Sequence, residues 1–258
     1  MTIHPTAVVD PGAELAEDVQ IGPYAVIQDA VSIGPGTRIM AHAYIDRFTR
    51  IGSNCRIFPS AAIGAIPQDL KFGGEKTEVI IGDNVTIREF VTVHRGTEGG
   101  GGRTMVGDHS LLMAYVHVAH DCQVGSHVII ANNLAMSGHV VIEDHVGIGG
   151  MVAIHQFVRI GQYAYIGGFS RVIKDVPPYM LATGGDDFKL YGPNLIGLKR
   201  QGFPPETIRI LKEAYRGIFR GRRPLKEALV ETAAEYADVP EVQTLIRFIQ
   251  QSERGVPR

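Results

Sequence analysis

Histidine is the side chain whose placement in this sequence points to chemistry. His117, His120, His139 and His155, with Gln156 beside the last, fall in one stretch. An imidazole titrates near neutrality, so such a set suits either proton transfer with a hydroxyl or ligation of a metal ion. Neither follows unless the fold brings the rings to one place. A single histidine at a corner or on a surface is ordinary, whereas several that converge make a site.

What must position them is a period of six. Every sixth residue from Ile3 to Ile63 is aliphatic, the spacing returns at Ile81, Ile87 and Val93, and it runs again from Val106 to Val172. A fixed short period of this length predicts a β-solenoid, in which short strands and turns coil around one core. Small or aliphatic residues recur four places further on, as at Ala7, Val19, Ala25, Ala43 and Ala61, so two positions per hexad point inward. Cys55 and Cys122 share that offset and read as buried thiols, neither ligands nor a disulfide. Glycine directly follows the aliphatic at Gly22, Gly34, Gly52, Gly64, Gly82, Gly107, Gly125, Gly149, Gly161 and Gly167. The expectation there is a tight turn with a positive backbone angle, so that each hexad is one strand and one corner.

Two breaks interrupt the period. Residues 65–79 (AIPQDLKFGGEKTEV) replace regular hexads with a polar loop, and residues 95–105 (RGTEGGGGRTM) add one residue to the count. Insertions in solenoids commonly carry function on one face. The glycine run is not a phosphate loop, because it lacks the Gly-Lys-Ser/Thr ending and the strand-to-helix setting.

The repeat resembles that of the hexapeptide-repeat acyltransferases. The resemblance implies a mainly β fold, a left-handed parallel β-helix with three hexads per coil, against the usual right-handed crossover. Eighteen residues per coil give nearly nine coils, a prism roughly 40 Å tall at about 4.8 Å per coil. On that coil the hexads beginning at Val118, Met136 and Ile154 stack in one column. Their corners carry His120, then Gly138 and His139, then His155 and Gln156, which places His120 about 10 Å from Gln156. His117 stands just before the same corner. β-Helical carbonic anhydrases hold zinc on this fold with a His-x4-His pair and a third ligand from a neighbouring subunit. Here the pair is His117-x2-His120, and no metal is expected.

With 258 residues, 45% hydrophobic content and a net charge of −2, the chain reads as a soluble globular protein of one or two domains. It has no apolar run long enough to span a membrane and no signal peptide at its start, so a cytoplasmic location is the default expectation. The solenoid is expected over residues 1–178, ending at Pro177-Pro178, where ladder donors are missing. A helical domain is expected over 179–258. After a loop at Gly184-Gly185-Asp186-Asp187, it holds helices near 204–220, 224–237 and 240–253, each opening on proline. From Lys199 to Lys226, nine basic residues (Lys199, Arg200, Arg209, Lys212, Arg216, Arg220, Arg222, Arg223 and Lys226) face two acidic ones, Glu206 and Glu213. Such an asymmetry is either a solvated face or a surface for an acidic or phosphate-bearing partner. No binding motif, tryptophan or overall basic charge supports nucleic acid.

Seven segments make the resemblance specific: QDLK from Gln68, VTVHRGT from Val91, HVAHDC from His117, SGHV from Ser137, AIHQF from Ala153, KDVPPY from Lys174 and GLKRQGF from Gly197. In order and over essentially the whole chain, they are similar to those of the UDP-N-acetylglucosamine O-acyltransferases, the enzymes that open lipid A synthesis. The resemblance implies transfer of an (R)-3-hydroxyacyl group from acyl carrier protein to the glucosamine 3-hydroxyl of UDP-N-acetylglucosamine, without a cofactor. It makes His120 the general base, Asp121 the group that orients it, and the Gly138 N–H the oxyanion donor. Asp69, Lys71, His94, His117, His139, His155 and Gln156 match substrate contacts, and Asn194 and Arg200 match nucleotide contacts. The pattern departs at Ile196 and Gln201, where the family carries Glu and Arg. Gly168 matches the family's acyl-chain ruler, with glycine admitting a chain of about fourteen carbons, each buried methylene being worth about 0.8 kcal/mol. Arg216 and Arg220 are the expected carrier-protein face, and a homotrimer is implied. The pathway's later N-acyltransferase carries a nucleotide-binding domain ahead of its repeats, whereas here the repeats begin at Ile3. A coenzyme A-dependent acetyltransferase leaves the basic tail unexplained. A non-catalytic hexapeptide scaffold leaves the histidine column unexplained, and a relative acting on a 3-amino UDP-sugar differs only in the acceptor, where His94 leans towards the hydroxyl.

Overall fold

The hexads form two-residue strands that stack into three parallel sheets in the computed structural model, which describes residues 1–221 and 223–258. Arg222 of the basic segment lies outside the described residues. The first sheet runs from Thr2–Ile3 to the C-terminal hairpin with eleven strands, the second from Val8–Val9 to Arg171–Val172 with nine, and the third from Glu14–Leu15 to Arg159–Ile160 with eight. Consecutive strands belong to successive sheets, so the chain turns a corner after every strand and returns to the same sheet one coil later. Of the twenty-six repeat aliphatics, the twenty-three from Ile21 onward are buried. Ile3, Val9 and Leu15 belong to the first coil and have a neighbouring coil on one side only, and Ile3 is exposed. Cys55 and Cys122 are buried free thiols, and burial pushes Cys122 up to about 12.

The corners follow a rule different from the expected one. Of the glycines that follow the aliphatic, Gly64 alone has a positive φ, at 91°. The left-handed residue is the third after the aliphatic, with φ between 54° and 68° at Tyr24, His42, Asn54, Asp121, His139, Phe157 and their equivalents. That twist turns its N–H onto the corner carbonyl of the preceding coil, as in His139 N–H to His120 O at 3.1 Å and Phe157 N–H to Gly138 O at 3.3 Å. The glycines are needed for space. A Cβ on Gly107 would lie 2.6 Å from the Gly125 carbonyl carbon, and one on Gly34 would lie 2.8 Å from that of Gly52. Between these two bonded positions, the N–H of the second residue after the aliphatic points away from the ladder, which is why Pro5, Pro11, Pro23, Pro35 and Pro59 fit there. Because left-handed residues recur at the same corner from coil to coil, their side chains stack in columns, among them His109, His127, His145 and Tyr163 at ring spacings of 4.8, 4.7 and 4.6 Å.

The two breaks are excursions from one corner, that between the second and third sheets. Strand partners across them stand 30 and 25 residues apart in place of the regular 18, so 65–79 and 95–105 are added chain and not substituted hexads. At the far end the ladder runs past Pro177-Pro178. Met180–Thr183 pairs in parallel with Tyr165–Ile166, then folds back antiparallel onto Lys189–Pro193, with the Gly184-to-Asp187 loop as the hairpin turn. Helices α1 (Leu195–Arg200), α2 (Pro205–Tyr215), α3 (Leu225–Glu235) and α4 (Pro240–Gln250) follow. The expected first helix ends in a π turn, Arg216–Arg220, after α2, and α1 and the hairpin are additions to the expected elements. Ile208, Leu211, Tyr215 and Ile218 are buried, and the Tyr215 hydroxyl donates to Leu190 O at 3.1 Å, tying α2 to the hairpin.

Candidate active site

The corner between the second and third sheets gathers most of the expected site. Val118 pairs with Met136 and Met136 with Ile154, so the corners that follow them are stacked rungs. His120 Nδ1 lies 2.8 Å from Asp121 Oδ2, with the His120 side chain 16% exposed and that of Asp121 fully buried. Neighbours in sequence face one another here because Asp121 is the left-handed residue of its corner, with φ at 60°. A carboxylate only accepts, so Nδ1 carries the proton and Nε2 is left with its lone pair. Asp121 Oδ1 accepts the Thr97 N–H at 2.8 Å, Oδ2 accepts the Thr97 hydroxyl at 2.7 Å, and the Asp121 N–H donates to Thr104 Oγ1 at 2.8 Å.

Gly138 occupies the next rung. A Cβ there would stand 2.5 Å from His120 Cε1 and 2.7 Å from Nε2, so glycine is required for the imidazole to lie where it does. Its N–H is at the corner position that the ladder leaves free, on the rung against which the His120 ring lies. His139 meets His120 edge to face at 5.1 Å and stacks on Phe157 at 4.6 Å, and its Nε2 lies 3.8 Å from Asp121 Oδ2. His155 Nδ1 lies 3.1 Å from the Gln156 carbonyl on the rung beyond.

One rung earlier, His94 is buried and packs edge-on against His117 at 4.9 Å, and His117 Nδ1 bonds Thr92 Oγ1 at 2.7 Å. Burial, and then the nearby His117 and His120, lower His94 to about 4, and burial lowers His117 as well. Both are neutral at pH 7 and can donate from one nitrogen and accept at the other. Asp69 and Lys71 project on the 65–79 excursion from the same corner, where Asp69 Oδ1 accepts the Lys71 N–H at 3.0 Å.

Among the described residues, His120, Asp121 and His139 are the one group with three metal-ligating atoms within 4.8 Å of one another. Of its oxygens, Asp121 Oδ1 accepts from Thr97 and Oδ2 both accepts from Thr97 and faces His120. The remaining expected residues lie elsewhere in the chain. Asn194 caps α1, with Oδ1 accepting from Gly197 N and Nδ2 donating to Tyr163 O at 3.1 Å, which places it by the corner between the third and first sheets. Arg200 is exposed at the end of α1, and Ile196 is exposed on it. Gly168 is exposed at the corner between the first and second sheets, facing Gly150. Arg216 is exposed, but Arg220 donates to the Tyr215 hydroxyl at 3.1 Å and lies over its ring, so it is partly a packing residue. Sequence reasoning misses Thr92, Thr97 and Thr104. Thr97 and Thr104 sit in the aperiodic excursion, where no column gives a position away.

The chain as a whole is similar to known proteins. Residues 103–134 match the bacterial transferase hexapeptide family, and residues 175–257 match the second domain of UDP-N-acetylglucosamine O-acyltransferase. The chain is 53% identical over 256 residues to the UDP-N-acetylglucosamine O-acyltransferase of Thermodesulfovibrio yellowstonii, covering 99% of each. It is 54% identical to that of Trichlorobacter lovleyi, covering 100% of each. Both relatives are named as taking their acyl group from acyl carrier protein. Among solved structures, the enzyme of Bacteroides fragilis superposes with a TM-score of 0.97 at 45% identity and that of Acinetobacter baumannii with 0.95 at 46%, each over the full length of both chains. The coil is therefore the left-handed parallel β-helix, and, from hexads to helical tail, the chain belongs to the UDP-N-acetylglucosamine O-acyltransferase family.

Proposed function

We propose that this chain transfers an (R)-3-hydroxyacyl group from an acyl carrier protein thioester to the glucosamine 3-hydroxyl of UDP-N-acetylglucosamine, the opening step of lipid A synthesis. The observation that carries the reading is the 2.8 Å contact of His120 with buried Asp121, on a corner where Gly138 leaves room for the ring. His120 Nε2 takes the proton of the sugar hydroxyl as its oxygen attacks the thioester carbonyl carbon. The negative charge gathers on the carbonyl oxygen, for which the free N–H of Gly138 is the assigned donor. Collapse expels the carrier thiolate, which takes the proton back from the His120 imidazolium, whose charge Asp121 has balanced meanwhile. No cofactor enters these steps.

His94 and His117, held neutral, are assigned with Asp69, Lys71, His139, His155 and Gln156 to hydrogen-bond the sugar and the acyl hydroxyl. Asn194 and Arg200 are assigned to the nucleotide. Asn194 and His120 stand at different corners of one prism, so a single site that uses both needs the corner of a second copy. A cyclic homotrimer with sites between adjacent prisms meets that need. Gly168 is assigned to the end of the acyl groove, and Arg216 with its neighbours to the acidic carrier. No helix among the described residues is long and apolar enough to cross a membrane, in keeping with a cytoplasmic enzyme.

The test is release of free carrier thiol when UDP-N-acetylglucosamine is added to 3-hydroxyacyl carrier protein, with the ester identified at the 3-position. Absence of thiol release with this acceptor, or stronger release with its 3-amino counterpart, overturns the assignment. The same assay against several acyl lengths reads the ruler. A folded Gly168→Met protein should favour shorter chains, its new side chain rising past Gly150 O at 3.1 Å from the Cβ, and an unchanged profile removes Gly168 from that role.

A further inference from the structure

The chemistry assigned to the dyad leaves the 95–105 excursion without a task, although it is the part of the chain that touches the dyad from outside the coil. Thr97 gives Asp121 two hydrogen bonds, N–H to Oδ1 at 2.8 Å and hydroxyl to Oδ2 at 2.7 Å, which fix both rotation and tilt of the carboxylate. Thr97 is itself held, because its carbonyl accepts Gly100 N at 3.1 Å and Gly102 N at 2.9 Å. The excursion is pinned at its base by Arg95 N to Ala65 O at 2.9 Å. Gly100 closes over the carboxylate, and a Cβ built there lands on its carbon and both its oxygens. The φ of Gly100 is not positive, so glycine is present for the space the carboxylate fills and not for a turn. Thr104, at the end of the excursion, takes the Asp121 N–H that in a regular coil goes to the carbonyl of the rung before.

The need for such a clamp lies in Oδ2. That oxygen stands 2.8 Å from His120 and 3.8 Å from His139, two imidazoles set edge to face, and a carboxylate free to turn could orient either. We propose that Thr97 and Gly100 are positioning residues that commit the Asp121 carboxylate to His120, so that the excursion selects which of two adjacent histidines serves as the base. The proposal rests on the assignment of His120 as base.

Thr97→Val keeps the backbone N–H and the branched shape and removes the hydroxyl, whereas Thr97→Ser keeps the hydroxyl. For the valine variant, kcat should fall roughly 10- to 100-fold, the scale of one hydrogen bond to a charged group. KM for both substrates should hold, the acid limb of kcat/KM should move, and Thr97→Ser should restore both. His120→Ala is run beside them. If His120→Ala turns over normally, the base assignment itself fails. If His120→Ala is inactive but folded Thr97→Val keeps the kcat and pH profile of the parent, the clamp alone is overturned, as it is by a loss that Thr97→Ser does not repair. Should Thr97→Val fail to fold, Gly100→Ala presses on the same carboxylate, and parental kcat in that folded protein overturns the proposal.

Discussion

At the residue scale, the proposed base His120 and the proposed orienting group Asp121, adjacent in sequence, face one another only because the left-handed corner turns the chain between them. His120 lies at a corner outside the aliphatic core, so His120→Ala should fold as the parent does and lose about 10²- to 10⁴-fold in turnover, measured by thiol release with circular dichroism as the folding control. Gly138→Ala should cost turnover through a different route. Its Cβ would press on the imidazole at 2.5 Å, so the ring must move while the ladder bonds around it remain. KM for the carrier substrate should stay near the parental value as kcat falls, and unaltered kcat would mean that the ring has slack the geometry does not suggest. Treatment with a chelator should leave turnover intact, since three hydrogen-bond contacts, from Thr97 and His120, already hold the Asp121 carboxylate. His120, Gly138 and His139 are legible in the sequence because a strict period turns residue spacing into spatial columns. Thr97 is not, because an excursion has no period to read.

Elements make the same point from the other side. The glycine that follows ten of the aliphatics suggests a turn residue, yet the positive φ lies on the third residue after the aliphatic, on side chains as large as Tyr24 and Phe157. Local sequence cannot show this, because the demand on the glycine comes from the backbone of the next coil. Gly107→Ala therefore tests packing between coils, and overpacking against the Gly125 carbonyl should cost about 1–3 kcal/mol in a melting experiment. The antiparallel hairpin of Met180–Thr183 with Lys189–Pro193 escapes sequence reading because it abandons the six-residue period without adopting a helical one. On α2 and its π turn, the basic stripe separates into two kinds of residue. All four are exposed, but Arg209 is paired with both Glu206 and Glu213 and Arg220 donates to the Tyr215 hydroxyl, which leaves Lys212 and Arg216 as the charges without a side-chain partner among the described residues. Reversing these two to Glu should raise KM for the carrier donor in a way that fades with added salt, and leave KM for the sugar nucleotide alone. A donor KM indifferent to both charge and salt would make the face merely solvated.

For the whole molecule, histidines held neutral by burial should cost stability in acid. His94, lowered to about 4, and His117 and His145, also lowered, bind a proton more readily in the unfolded chain than in the folded one. Their contribution is complete above about 6.5, the ordinary imidazole value, and is lost as pH falls from there towards about 4. Melting temperature should decline across that window, and a substitution at His94 that removes the imidazole should flatten the decline. His109, His127 and His145 repeat at the coil spacing as plainly as the site column does, and their stack is as readable as the site itself. The proposed trimer has its own assay. His120→Ala and Asn194→Ala chains, each impaired alone, should regain up to about a quarter of parental activity when unfolded together and refolded, because heterologous contacts then rebuild some intact sites.

Pairing most strands with one only eighteen residues earlier, and none of the coil strands with one more than thirty, bears on how the molecule is born. At about 5–20 residues per second, a ribosome delivers one coil every second or few, whereas short loops close in well under a microsecond. Each coil can settle on the one before it while the rest is still being synthesised, so the prism grows from its N-terminal end as a nascent chain. The coil that carries His120 and Asp121 is then roofed by the Gly138 and Gln156 rungs before the helical tail has been translated.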